Sequence, residues 1–164
     1  MTIANIILTI TATLTALIAG LFYSWSVSIT LGLARVSDVE YVSVFQATNR
    51  AIQNPIFLTA FMGAQILLPV CVFLFYRQPM RFWLLLAATI IYAAGVIGVT
   101  FFGNIPLNNK LDKFDLQSAT QQEIAQQRKE FENPWNGLNT VRTVSSTLAI
   151  VLVIVACLDR KNDF

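Results

Sequence analysis

Four apolar stretches separated by polar connections make up the pattern of this chain. No charged residue occurs across 2–34, 51–76, 82–103 or 143–158. A helix of about 20 mostly apolar residues crosses the roughly 30 Å hydrocarbon core of a bilayer. The first three stretches meet that length. The fourth has 16 residues and would reach only about 24 Å, so its helix must begin earlier. Asn133 followed by Pro134 reads as an N-cap with proline at the first helical position. The predicted spans are therefore about 3–33, 55–76, 82–103 and 134–158. The fold class is all-α, an integral membrane four-helix bundle, with 1–164 read as a single transmembrane domain. Two long connections, 35–54 and 104–142, fall on one face. The first places Tyr41, Phe45, Gln46, Asn49, Arg50 and Gln53 at helical spacing, which predicts an amphipathic helix at the interface. Fully helical, the first span would be about 50 Å long, so it must tilt, project outward or break near Gly32. Pro69 predicts a kink in the second span.

Composition narrows the function classes. The chain is 55% apolar and 12% charged, about half the roughly 25% charge of an average soluble domain. A net charge of +2 supplies no basic surface for nucleic acid. Histidine is absent, which removes imidazole metal sites, Ser-His-Asp and Cys-His nucleophiles, and His proton shuttles. Cys71 and Cys157 read as small packing residues with free thiols, and no metal site is expected. Four spans bring both termini to one side, where Arg77, Arg81, Arg160 and Lys161 stand against Asp159 and Asp163. Dense positive charge in short loops marks the cytoplasmic face. Both termini are thus expected in the cytoplasm and the protein in the bacterial inner membrane. No positively charged segment precedes the first apolar run, so a cleavable leader is not expected.

Small and polar residues inside the spans carry the remaining information. Gly20, Ser24, Ser28 and Gly32 recur every four residues, as do Ala60 and Ala64, and Ala94 and Gly98. Such stripes let helix backbones approach in lipid, either within the bundle or between copies in a homo-oligomer. Arg142 is the anomaly. In a helix starting at residue 134 it lies about 12 Å inside the end. Trp135, Asn139, Arg142 and Ser146 are spaced 4, 3 and 4 and share one stripe. Arg142 either reaches up to the head groups or belongs to a buried polar pocket. Gly103, Asn104, Ile105, Pro106, Leu107 and Asn108 read as a turn closing the third helix at the same level. With Gln46 and Asn49 they make three segments converging on Arg142, and Gln65 lies deeper. The stretch 110–132 reads as a solvated lid or spacer.

These residues also carry a resemblance. Asn104, Pro106, Leu107 and Asn108, followed by Trp135, Asn139 and Arg142, resemble the signature of the anthrone-oxygenase-like family. Phe22, Tyr23, Ser24 and Trp25, and Gln46 with Asn49, fit that pattern too. The resemblance implies a small four-span membrane protein. Fungal members of the family oxidise anthrones to anthraquinones with molecular oxygen and without metal or flavin, so no cofactor is implied. It further implies that Arg142 stabilises an enolate while Asn104, Asn108 and Asn139 orient oxygens. A general base would have to come from a loop carboxylate, with Asp38, Glu40, Asp112 and Glu132 nearest. Two function classes follow. One is a pocket protein that binds a small apolar, oxygen-bearing molecule (quinone, polyphenol or lipid) through Trp135, Asn139, Gln46, Asn49 and Ser146, with or without oxygenase chemistry. The other is an accessory or assembly subunit of a larger membrane complex. Conduction has no intramembrane carboxylate to carry it.

Overall fold

The computed structural model describes residues 2–159, and every regular element among them is helical. We number five helices: α1 Ile3–Leu33, α2 Asp38–Ile52, α3 Pro55–Leu74, α4 Pro79–Asp112 and α5 Gln121–Leu158. All but α2 are long and apolar enough to cross a membrane. The protein is an integral membrane helical bundle. Arg160, Lys161 and Asp163, which enter the charge argument for orientation, lie outside the described residues.

Local chemistry explains how polar sequence is tolerated in the spans. The Thr2 hydroxyl accepts from the Asn5 amide and caps α1. Thr9, Thr11, Thr13 and Thr15 each donate a hydroxyl to the carbonyl four residues back, so none of these four brings an unsatisfied donor into lipid. α1 does not break at Gly32; it widens into a π turn at Trp25–Ile29 and then resumes. Below that level the buried residues are mainly apolar. Ala64, Leu68, Leu85, Ala88, Val96, Ala149 and Val153 are fully buried between the helices. At the lower end, a short turn between α3 and α4 buries Arg81, which donates to the Asp159 carbonyl and lies 5.1 Å from the Phe75 ring centroid.

Two helices run farther upward than their apolar stretches predict. α4 passes through Asn104 and Pro106 to Asp112, after π segments at Ala93–Gly98 and Thr100–Asn104. Residues 103–108 are therefore helix and not a closing turn. The wider turn just before Pro106 accommodates a residue that lacks its N–H and would crowd the carbonyl of an ordinary α turn. α5 starts at Thr120, whose side chain and Glu123 form a reciprocal capping box, and Pro134 lies inside it. Asn133 is accordingly not an N-cap. The stretch read as a spacer is mostly helix, and the second connection shrinks to 113–120.

Helices of 34 and 38 residues are about 51 and 57 Å long. That is about 20 to 27 Å more than the hydrocarbon core requires. Their upper ends, with α2, form a cap around a second core. The Phe45 ring sits 4.8 to 5.2 Å from the rings of Trp25, Tyr41, Phe131 and Trp135. Arg128 binds Asp38 and Glu132 at 2.9 and 2.8 Å, donates to the Leu33 and Val36 carbonyls, and lies over the Tyr41 ring. Lys110 pairs with Glu130 and Arg50 with Asp112 on the outside. The predicted amphipathic helix is thus present, with Tyr41, Val42 and Phe45 buried against α4 and α5.

The stripes of small residues pack differently from expectation. Gly20, Ser24, Ser28 and Gly32 are all exposed, and a Cβ on Gly20 or Gly32 would meet nothing within 4 Å. Ala94 is exposed as well, and Gly98 approaches only its own helix. Close approach occurs instead at Gly63, Gly95 and Gly103, where a Cβ would fall 2.8, 2.1 and 2.8 Å from Leu14, Ser145 and Leu138. Ala60 and Ala64 are buried as the spacing predicts.

Candidate functional site

Between the apolar bundle and the cap lies a cavity of about 620 Å³, within the range of small-molecule sites. All five helices contribute to it. α1 supplies Phe22 and Trp25, α2 Phe45 and Asn49, and α3 Phe57 and Phe61. α4 supplies Thr100, Phe101 and Asn108, and α5 supplies Trp135 and Arg142. Two of the three π segments touch it, through Trp25 and Ile29 and through Thr100 and Phe101. Widened turns of this kind often accompany functional sites.

Arg142 is the charged residue of the lining, and it is 6% exposed. Leu158 lies 16 residues further along α5, about 24 Å, so the Arg142 backbone falls within the length of helix that a roughly 30 Å core spans. Its Nη2 donates to Asn139 Oδ1 at 2.8 Å, and its carbon lies 4.4 and 5.2 Å from the Phe22 and Trp135 ring centroids. Its Nε is buried with no partner in the protein. Among the described residues no carboxylate pairs with it. A desolvated cation–π contact contributes about 2 kcal/mol and a charge-assisted hydrogen bond about 1.5–3 kcal/mol. Full hydration of five N–H donors is replaced only in part.

Asn139 holds that arrangement in place. Its Nδ2 donates to Ser26 Oγ at 2.9 Å and to the Phe22 carbonyl at 3.4 Å. Thr143 Oγ1 donates to the same carbonyl at 3.0 Å. α5 side chains therefore serve the backbone of α1 where its α turn gives way to the π turn. Asn139 is a bridge behind Arg142 and does not line the cavity. Asn108 does line it, and its Oδ1 accepts from Trp135 Nε1 at 2.8 Å. Asn49 lines the mouth with Gln53 and Asn54.

Besides Asn139, three expected site residues fall elsewhere. Ser146 is buried and donates to the Arg142 carbonyl at 2.7 Å, as serine in a membrane helix usually does. Gln46 donates to the Leu111 and Phe114 carbonyls, both at 2.8 Å, and so ties α2 to the end of α4. Asn104 is fully buried one turn beyond Thr100 and outside the lining, with neither side-chain atom partnered in the protein. The loop carboxylates are engaged elsewhere. Asp38 and Glu132 hold Arg128, Asp112 holds Arg50, and Glu40 caps α2 through Ser37. None lines the cavity. Hydrogen bonds from Ser37 hold Glu40 below the usual carboxylate range. Burial, reinforced by Glu132, pushes the Tyr41 phenol up and keeps it protonated.

The aromatic walls are what reading single residues missed. Phe57 and Phe61 are spaced by four in a span where any apolar residue serves, so nothing in the sequence separates a cavity wall from a lipid contact. Thr100 carries a weak signal, a hydroxyl deep in an apolar run.

The sequence pattern of a family described as anthrone oxygenase matches residues 2–152. Comparison with curated proteins and with solved structures gave no match. The match runs from α1 through the Arg142 region and most of α5, so this chain belongs to the anthrone oxygenase family.

Proposed function

We propose that the cavity binds a small apolar molecule bearing oxygen, such as a quinone, polyphenol or lipid. One observation carries this reading. A cavity walled by aromatic rings contains a single cation, Arg142, which is 6% exposed and keeps an unpartnered Nε. Buried polar groups in native structures are rarely left without a partner. A ligand oxygen in the cavity accepts from the guanidinium through Nη1, which no protein group among the described residues engages, while Phe22, Phe57 and Trp135 contact the ring or chain that bears it. Asn49 and Asn108 face the same space with amide groups.

The family's name gives the chemical setting, oxidation of an electron-rich ketone by molecular oxygen. In that setting Arg142 and Asn108 position the ligand's oxygens, and the cap formed by α2 shields the site from water. We place both termini in the cytoplasm and the cap on the far side of a bacterial inner membrane. The chain acts as one transmembrane unit. The test is native mass spectrometry from mild detergent, comparing wild type with Arg142→Leu and Arg142→Lys. A small molecule retained by wild type and Arg142→Lys and lost from Arg142→Leu is expected. Equal retention by folded Arg142→Leu defeats the proposal.

A second reading rests on the exposed Gly20, Ser24, Ser28 and Gly32 stripe, which no helix among the described residues covers. In an accessory subunit or homo-oligomer that stripe seats a helix from outside. A stoichiometric partner, or a second copy, released by Gly20→Leu would support it. A monomer with or without the substitution would refute it.

A further inference from the structure

We infer that the cavity is open sideways to the hydrocarbon of the upper leaflet, and that its ligand exchanges with the lipid phase through a window between α3 and α4. The point about exchange rests on the cavity being the ligand site; the opening itself does not.

Six lining residues are also exposed: Ala51, Gln53 and Asn109 toward the cap, and three large apolar ones on the flank. Leu58, Met62 and Phe101 line the cavity yet are 48%, 38% and 48% exposed. The helix packing explains how. α3 packs along Pro79–Tyr92 of α4 and along α1, whereas the upper half of α4 leans on α5 and α2. The two helices therefore touch low in the bundle and part above it. The π segments at Ala93–Gly98 and Thr100–Asn104 lie in the half that leans away.

Depth identifies what fills the gap. α3 has 20 residues and is about 30 Å long, the full thickness of the hydrocarbon core. Leu58 and Met62 then lie about 5 and 10 Å below its upper end. Phe101 lies 22 residues past Pro79, about 33 Å up α4, near the same boundary. The window faces acyl chain, not water. Its sides are apolar, while Gln53, Asn54 and Asn109 border the cavity above it. An amphipathic molecule in the leaflet meets an edge of the same polarity order as itself, with its polar end toward the amides and its apolar body toward Leu58 and Met62.

The test uses Trp135 as a reporter, since it lines the cavity and is only 5% exposed. The double variant Trp25→Phe, Trp83→Phe leaves it as the sole tryptophan. It is reconstituted in phosphatidylcholine nanodiscs, either plain or brominated on the upper acyl-chain carbons. Bromolipid should quench Trp135 emission, and iodide added in water should quench it less. Adding Leu58→Phe and Met62→Phe, which narrow the window, should restore emission. Equal emission in plain and brominated lipid would overturn the inference, as would iodide quenching that exceeds bromolipid quenching. Because no ligand is needed, failure here is distinct from failure of the ligand reading. In that case the mass spectra with Arg142→Leu would still show retention and loss.

Discussion

Gly95→Ala is the most direct test of how the bundle holds the cavity. Gly95 lies in the π segment Ala93–Gly98 of α4, against α5. A methyl group there would sit 2.1 Å from Ser145 Oγ and 2.5 Å from Ser145 Cβ. Rotating the serine moves the oxygen but not the Cβ, so only separation of the two backbones relieves the second contact. Overpacking of this kind costs about 1–3 kcal/mol, and the fixed Cβ places Gly95→Ala near the upper end. Alanine gains up to about 1 kcal/mol in helix propensity, leaving a net loss of about 2 kcal/mol. At roughly 2–4 °C per kcal/mol for a chain of this size, the melting temperature falls by about 4–8 °C. The assay is thermal unfolding in detergent followed by thiol labelling of Cys71, which is fully buried when folded. Adding Ser145→Ala keeps the Cβ and should not rescue, whereas Ser145→Gly should recover most of the loss. Ligand retention should fall with stability, because Thr100 and Phe101 ride on the displaced half of α4. A Gly95→Ala protein as stable as wild type, or one rescued equally by Ser145→Ala, would refute the reasoning.

Phe45→Ala removes the ring that four other aromatics surround and should cost about 3–5 kcal/mol, releasing α2 to limited proteolysis while the four spans stay protected. Arg128→Met breaks the contacts to Asp38, Glu132 and two carbonyls. At about 1.5–3 kcal/mol per hydrogen bond to a charged group, it should speed hydrogen exchange across α2, and more so than Arg50→Met, which loses one exposed pair. Acid should fray the start of α2. Ser37 depresses Glu40, so the cap's contribution is complete above the ordinary carboxylate value and is lost as pH falls through the lowered one. The protection of the Tyr41 amide, taken relative to intrinsic exchange at each pH, should fall in that acid window in wild type and stay level in Glu40→Gln.

The reach of the sequence is clearest at particular residues. The four spans are legible because lipid admits only long apolar helices with internally satisfied backbones. Arg142 is legible for the same reason, as a charge too deep in the span to be ordinary. The start of α5 was legible in principle. Thr120 and Glu123 form a capping box, and Ile124, Phe131 and Trp135 extend the stripe of Asn139 and Arg142 backward. Pro134 masked that signal, since proline at a helix start is commoner than proline inside one. The passage of α4 through Pro106 had no such signal, because it depends on a π turn that no spacing rule announces. The small-residue stripe of α1 was legible as a stripe, but whether it faces the bundle or the outside was not, and in the structure it faces outward. Period four says which residues share a face, not which way the face turns.

By itself, then, the sequence determined the class of solvent, the number of crossings, the amphipathic character of α2 and the one arginine that needs explaining. These follow from chemistry local to a helix, namely length, polarity, capping and period. Only the tertiary structure decided what surrounds that arginine. Phe22, Asn139 and Trp135 converge on it from two helices more than 110 residues apart in sequence, and the loop carboxylates are drawn away to Arg128 and Arg50. The cavity itself arises where α3 and α4 part. It is set by helix axes and by the close contact at Gly95, and a packing angle between helices is a property of two surfaces together that neither stretch of sequence carries alone.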